Sequence, residues 1–137
     1  MFGSFNKRAS AYAEVGVETG VSTADPHTLI VMLFDGAILS ITKATVAMEN
    51  RDIAAKGLAV SKAIEIIING LKASLDVEAG GELASRLAAL YDYMAERLLY
   101  ANLNNNRAAL DEVAGLLQGL REAWQGISPK SASVAAA

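Results

Sequence analysis

Apolar residues recur at helical spacing in the segment from Leu29 to Met48. One stripe, with steps of three and four residues, consists of Ile30, Leu33, Ala37, Ile41, Ala44 and Met48. A second stripe, about 100° round the same helix, consists of Leu29, Met32, Gly36, Leu39 and Val46. One stripe is enough to bury a helix in a small core. The second stripe therefore needs another part of the chain or a second protein as its partner.

Capping residues mark the start of the first two helices. Asp25 supplies an N-cap acceptor and Pro26 a pre-set φ, so we expect a helix from there to about Met48. Asn50 or Asp52 can cap the next helix. Its apolar stripe is Ile53, Gly57, Val60, Ile64, Ile67, Leu71 and Leu75.

Two further helices follow. Gly80 and Gly81 interrupt the pattern, and the third helix is predicted to resume from Glu82. Its stripe is Leu83, Leu87, Leu90, Tyr91, Met94 and Leu98. The asparagines 104–106 predict a turn, and Pro129 helps to end the fourth helix. The stripe of that helix is Leu110, Val113, Leu117, Leu120 and Trp124.

Four helices joined by short turns predict an all-α fold, an antiparallel up-down four-helix bundle over residues 25–127. Residues 1–24 are expected to form an N-terminal arm with a short helix inside positions 5–17. Within this arm Phe5, Tyr12 and Val15 are spaced to lie on or near one face, which suits either a covering segment or an ordinary strap. The Ala- and Ser-rich residues 128–137 predict a disordered tail.

Composition narrows the class of protein. The 137 residues contain no Cys, which excludes a disulfide framework, and the net charge of −3 with mixed signs disfavours nucleic acid as a partner. The mean hydropathy is +0.29. However, the longest uninterrupted apolar run is Leu29 to Phe34, far short of the roughly 20 residues of a membrane span. The start does not read as a signal peptide, so a cytoplasmic protein without membrane insertion is expected.

Catalytic chemistry is sparsely represented. The one histidine, His27, lies in a first helical turn, and the Glu-x-x-His pairs of a bundle di-metal centre are absent from the sequence. Carboxylates such as Asp35, Glu65 and Asp92 suit a solvated face better than an acid and base pair. We therefore expect no enzyme, no metal site and no cofactor.

Tyrosines on the third helix are more informative. Tyr93 and Tyr100 share a face off the apolar stripe, so each is either an interface residue or a ring at a helix edge with its hydroxyl in water. Trp124 continues the stripe of the fourth helix, either as a lid on the core or as a contact for a partner.

Several ordered segments resemble the flagellar secretion chaperones of the FliS family. They are Ala11-Tyr12-Ala13, residues 25–37 (DPHTLIVMLFDGA), Lys62-Ala63-Ile64, Gly80-Gly81-Glu82, residues 90–94 (LYDYM), Ala101-Asn102 and Ala123-Trp124. The resemblance covers about residues 11–129. It implies a cytosolic helical bundle, not an enzyme, that binds the C-terminal segment of flagellin, prevents premature polymerisation and aids delivery to the type III export gate.

The resemblance also implies that the arm, with Tyr12 in it, competes with flagellin for the binding surface. From the second stripe and the off-stripe tyrosines we expect a client groove that either runs between the first two helices or wraps several faces. Its candidate residues are Leu29, Met32, Leu39, Ile66, Gly70, Tyr93 and Tyr100. Further partners could include the export gate and flagellar regulators, and a weak homodimer is possible. The alternative is a structural bundle whose second stripe is buried in an obligate homodimer.

Overall fold

The structure, a computed structural model, describes residues 25–127 and contains four helices and no strand in that range. Helix α1 is Pro26–Glu49, and α2 is Ile53–Glu65, continued by a π-helix at Ile66–Leu71 and a 3₁₀ turn at Lys72–Ser74. Helix α3 is Val77–Asn104 and α4 is Arg107–Gln125. The all-α four-helix prediction is confirmed. The predicted arm, its short helix and the predicted tail lie outside the described residues.

Side chains cap the starts of all four described helices. Asp25 accepts a hydrogen bond from the Thr28 amide at 2.7 Å, which lowers the pKa of the Asp25 carboxyl. Asp52, rather than Asn50, caps α2. Asp76 caps α3 and Asn106 caps α4, and each accepts from an amide three residues later.

The helices form a ring in the order α1, α2, α3, α4, with each helix packed on the next and α4 packed on α1. Helix α1 is antiparallel to both of its neighbours. Leu33 lies against Gly70 of the π-helix whereas Gly36 lies against Ile66. The ion pairs Asp35–Arg121 and Glu49–Arg107 give the same direction for α4. The core is filled from all four helices. Its largest fully buried side chains are Ile41, Val60, Ile67, Leu71, Met94, Leu98, Leu110, Val113 and Leu117.

Helical residues begin again at Val77, but Gly81 leaves helical geometry, with φ 57° and ψ −135°, so a kink separates residues 77–80 from the long part of α3. That long part resumes at Glu82, as the two glycines predicted. The conformation of Gly81 is open to glycine and strained for other residues. The break also changes the phase of the first turns, so Leu83, expected in the core, is exposed and the buried face starts at Ala84.

The π-helix alters which side of α2 is buried. Its wider turn brings the consecutive Ile66 and Ile67 into the core, together with Gly70. A Cβ at Gly70 would lie 3.2 Å from a Leu33 methyl carbon, so this glycine makes room for a side chain of α1. A helical pattern with 3.6 residues per turn does not anticipate this shift.

Helix α1 is long and apolar enough to cross a membrane by length and composition alone. The length of the longest uninterrupted apolar run did not predict this property of α1, because polar residues are interspersed through the helix. In this fold α1 packs against α2 and α4. Its apolar stripe is buried from Ile30 to Ala44, which is also typical of the core helix of a bundle.

Candidate binding surfaces

The second stripe of α1 lies along the boundary with α2. Gly36 faces Ile66, whose Cδ1 would be 3.4 Å from a Cβ at that glycine. Met32 and Leu39 are four residues before and three after Gly36, so they lie on the same side of α1. Leu39 is exposed, whereas Leu29 and Met32 are partly buried. These three side chains form what we call the α1–α2 surface.

Two residues predicted for the same groove are not on this surface. Ile66 is only 4% exposed, and Gly70 is buried against Leu33. Both belong to the core, since the π-helix turns them inward. Their assignment to an open groove is corrected by this structure: they support the α1–α2 surface from below.

Tyr93 and Tyr100 lie on the other side of the bundle, where α3 meets α4; we call them, with Arg97 and Glu112, the α3–α4 surface. The Tyr93 hydroxyl donates to the Glu112 carboxylate, and Arg97 Nε donates to the same carboxylate at 2.8 Å. The Arg97 guanidinium lies over the Tyr100 ring, 4.8 Å from its centre. Both tyrosine rings remain exposed.

The hydrogen bonds within the α3–α4 surface shift the pKa values of Glu112 and Tyr93. Donation from Tyr93 and then from Arg97 stabilises the carboxylate form and lowers the pKa of Glu112. The same hydrogen bond to Glu112 raises the pKa of Tyr93. Charged neighbours thus contact both tyrosines, which remain exposed.

The structure therefore separates the predicted groove into two surfaces. In a ring of four helices, the α1–α2 boundary and the α3–α4 boundary are opposite each other. Leu29, Met32 and Leu39 cannot line one groove with Tyr93 and Tyr100. Any single partner that touches both sets has to pass around the bundle.

Polar contacts connect α1 and α4 along the length of the boundary between them. His27 Nε2 donates to the Trp124 carbonyl at 2.8 Å, and Trp124 Nε1 donates to the His27 carbonyl at 3.0 Å, with the rings stacked. The ion pairs Asp35–Arg121 and Glu49–Arg107 follow along the same boundary. Trp124 is thus partly buried at the end of the core, with His27 as its partner.

Sequence reasoning missed further exposed aliphatic side chains. Ile53 and Leu58 at the start of α2 are 77% and 74% exposed, and Leu99 and Leu103 at the end of α3 are 52% and 80% exposed. Ile53 and Leu58 are five residues apart, so they do not share a face of α2. Ile53 had been expected in the core stripe. The signal for the α3 pair was their spacing of four residues on a side away from Leu98.

Among residues 25–127, no group of three or more His, Asp or Glu side chains could hold a metal ion. The buried Tyr91 hydroxyl has a raised pKa because burial disfavours its charged form. Exposed aliphatic and aromatic side chains on a well-packed bundle are instead typical of surfaces that contact other proteins. The fold and its surfaces thus define a small helical protein-binding bundle.

Comparison with known proteins identifies the family. Residues 8–131 match the family described as "Flagellar protein FliS". The chain is similar to the flagellar secretion chaperone FliS of Salmonella typhimurium, with 57% identity over 121 residues, 88% of this chain and 90% of that protein. The FliS of Escherichia coli K12 is 44% identical over 87% of this chain and 88% of its own. FliSB of Pseudomonas aeruginosa is 45% identical over 89% of this chain and 96% of its own. The chain belongs to the FliS family of flagellar secretion chaperones.

Proposed function

We propose that this protein is a cytosolic export chaperone that binds the disordered C-terminal segment of flagellin. In this role it prevents premature polymerisation and aids delivery to the flagellar type III export gate. Family membership supports the proposal. The structural observation that carries it is the surplus of exposed apolar side chains on a bundle whose core is already filled.

The placement of these side chains suits a long, flexible client better than a compact one. The α1–α2 and α3–α4 surfaces lie on opposite sides, so a folded partner of ordinary size would reach only one of them. A disordered segment can wrap around the bundle and form amphipathic helices where it meets apolar surface. Leu39 and the two tyrosines would receive its apolar faces.

Reversible binding follows from the same physics. A disordered client loses conformational entropy when it becomes ordered on the chaperone, so a large contact area can coexist with moderate affinity. Release during export then needs no cofactor and no enzymatic step. Further contacts with the export gate or with flagellar regulators would use surface that the client leaves free.

The arm enters this proposal as a competitor. Phe5, Tyr12 and Val15, which lie outside the described residues, carry apolar side chains of the kind that the surfaces accept. In the free protein they would occupy client surface and move aside when flagellin arrives.

Calorimetric titration with a C-terminal fragment of the cognate flagellin tests the proposed function. We expect a one-to-one complex and a clearly negative heat-capacity change, because apolar surface is buried as the fragment folds. Sedimentation of the free protein and of the product gives the oligomeric state. A stable dimer that does not bind the fragment would contradict the proposal and favour a homodimer formed through the second stripe of α1.

A further inference from the structure

A recess of about 430 Å³ lies at the end of the bundle where α1 ends and α2 begins. Its lining includes the apolar side chains of Met48 and Ile53 and the polar side chains of Arg51, Lys56 and Asn105. The α1–α2 and α3–α4 surfaces do not include these residues. The recess has the size of a small-ligand site, and it combines apolar walls with two cationic side chains.

Lys56 gives the recess a buried ammonium group. The residue is 5% exposed, and its Nζ donates to the Asn102 carbonyl at 2.9 Å and to the Asn105 side-chain oxygen. An ammonium has three N–H donors, so one donor remains after these two hydrogen bonds. Within residues 25–127, Lys56 forms no ion pair. Because a buried charge without a counter-ion is costly, an anion in the recess would stabilise this lysine.

Arg51 occupies a position where glycine is the usual residue. Its amide donates to the Met48 carbonyl at 3.2 Å, and the Asp52 amide donates to the Ala47 carbonyl at 2.9 Å. These two hydrogen bonds end α1 in a Schellman motif, in which the chain turns at a residue in the left-handed conformation. That residue is Arg51, with φ 57°, a conformation that is unfavourable for side chains with a Cβ.

The end of α3 has the same turn with a more suitable residue. The Asn106 amide donates to the Ala101 carbonyl at 3.0 Å, and Asn105 has φ 49°. Asparagine adopts this conformation more readily than arginine does. Arg51 is exposed and forms no ion pair within the described range, so neither the turn nor a salt bridge accounts for an arginine there. Its guanidinium at the recess suits an anion-binding role instead.

The charges of the lining favour a monovalent anion. Arg51 and Lys56 supply two positive charges, and Asp52 supplies one negative charge. Asp52 also caps α2, where its Oδ1 accepts from the Ala55 amide at 3.0 Å. A carboxylate carries one charge and has two oxygens that can accept from both cations, whereas a phosphate dianion exceeds the charge of the lining. The apolar walls suit an aliphatic group next to the carboxylate.

We propose that this recess binds a carboxylate attached to a short aliphatic group, with Arg51 at the opening and Lys56 at the base. Such a carboxylate occurs in a free short-chain acid and at the carboxyl end of a polypeptide whose last residue is aliphatic. Both present the same chemistry to the recess. The site goes beyond the proposed chaperone function and does not depend on it.

Titration of the full chain with butyrate, followed by NMR, tests the site. We expect the backbone amides of Arg51 and Asn105 and the Met48 methyl group to shift as the recess fills. A dissociation constant on the order of millimolar is expected for so small a ligand. Butyramide has a similar shape and no charge, so it should leave these signals in place. Inorganic phosphate should bind more weakly than butyrate.

Arg51→Gly separates the role of the guanidinium in binding from its place in the turn. Because glycine suits the left-handed position, the thermal stability of R51G should not fall. Butyrate binding should nevertheless weaken on the order of tenfold. Arg86→Gln is the control, since it also removes one positive charge, at an exposed position near the other end of α3. This control should bind butyrate like the original protein.

A peptide distinguishes the two sources of the carboxylate. Tighter binding of an acetylated dipeptide with a free carboxyl-terminal leucine than of butyrate would support the site and identify its ligand as the end of a polypeptide. Equal or weaker binding of the dipeptide would support the site with a free acid as its ligand. Unshifted recess signals with butyrate would overturn the proposal, and so would equal shifts with butyramide. Butyrate binding by R51G at the original affinity, or tighter binding of phosphate than of butyrate, would also overturn it.

Discussion

At the scale of single residues, Glu112 connects the two candidate tyrosines. Its carboxylate accepts from Tyr93 and from Arg97, and Arg97 in turn covers the Tyr100 ring. Because donation from the Tyr93 hydroxyl favours the charged form, Tyr93→Phe should raise the pKa of Glu112 toward its ordinary value. Carbon-13 NMR titration of the Glu112 carboxyl measures this shift.

Tyr100→Phe is the control, since the Tyr100 hydroxyl has no contact with Glu112 in the structure, and it should leave that pKa in place. The lowered pKa of Glu112 also has a consequence for stability. Its carboxylate stabilises the fold at pH values above the ordinary glutamate pKa, and this contribution is lost as the pH falls through the lowered value. An unchanged Glu112 pKa in Y93F would show that the Tyr93 hydrogen bond is absent in solution.

At the scale of helices, we expect replacement by Ala to change the free energy of unfolding in opposite directions at two glycines. Gly81 has φ +57° with open space around it, so Gly81→Ala adds backbone strain without a clash and should destabilise the fold by about 1–3 kcal/mol. Gly119 lies inside α4, also with open space around it, so Gly119→Ala should stabilise the fold by about 1 kcal/mol. Urea unfolding of the two variants checks both signs. Equal effects would contradict the break assigned at Gly81.

The same helices show what the sequence could and could not predict. Caps and apolar spacing predicted the four helices because Asp25, Asp52 and the turn at residues 104–106 act locally. The spacing could not predict the π-helix, since its wider turn depends on how Ile66 and Gly70 pack against α1. The glycines predicted the interruption at Gly81, but the spacing did not reveal the short helical turn before it, which Asp76 caps.

At the scale of the whole molecule, the candidate site depends on which helices are neighbours in the bundle. The apolar spacing along each helix does not determine that arrangement. The sequence identified Leu39, Tyr93 and Tyr100 as off-stripe residues, and all three are exposed. It could not place Leu39 and Tyr93 on opposite sides, because that requires knowing which helices are neighbours. The wrapped client of the proposed function follows from this arrangement and not from any single helix.

The proposed competition by the arm leads to a prediction for the whole chain. If Tyr12 occupies client surface in the free protein, only the fraction of molecules with a displaced arm can bind, and the apparent dissociation constant is raised accordingly. Tyr12→Ala should therefore tighten binding of the flagellin fragment, by roughly tenfold if the arm covers the surface nine-tenths of the time. Thermal stability should stay nearly constant, because side chains from all four described helices pack together in the core. Titration calorimetry and a thermal melt measure the two quantities, with Tyr12→Phe as the control that keeps the ring. A large loss of stability in Y12A would instead make Tyr12 a core residue, and the arm would then be a fixed strap that does not compete with the client.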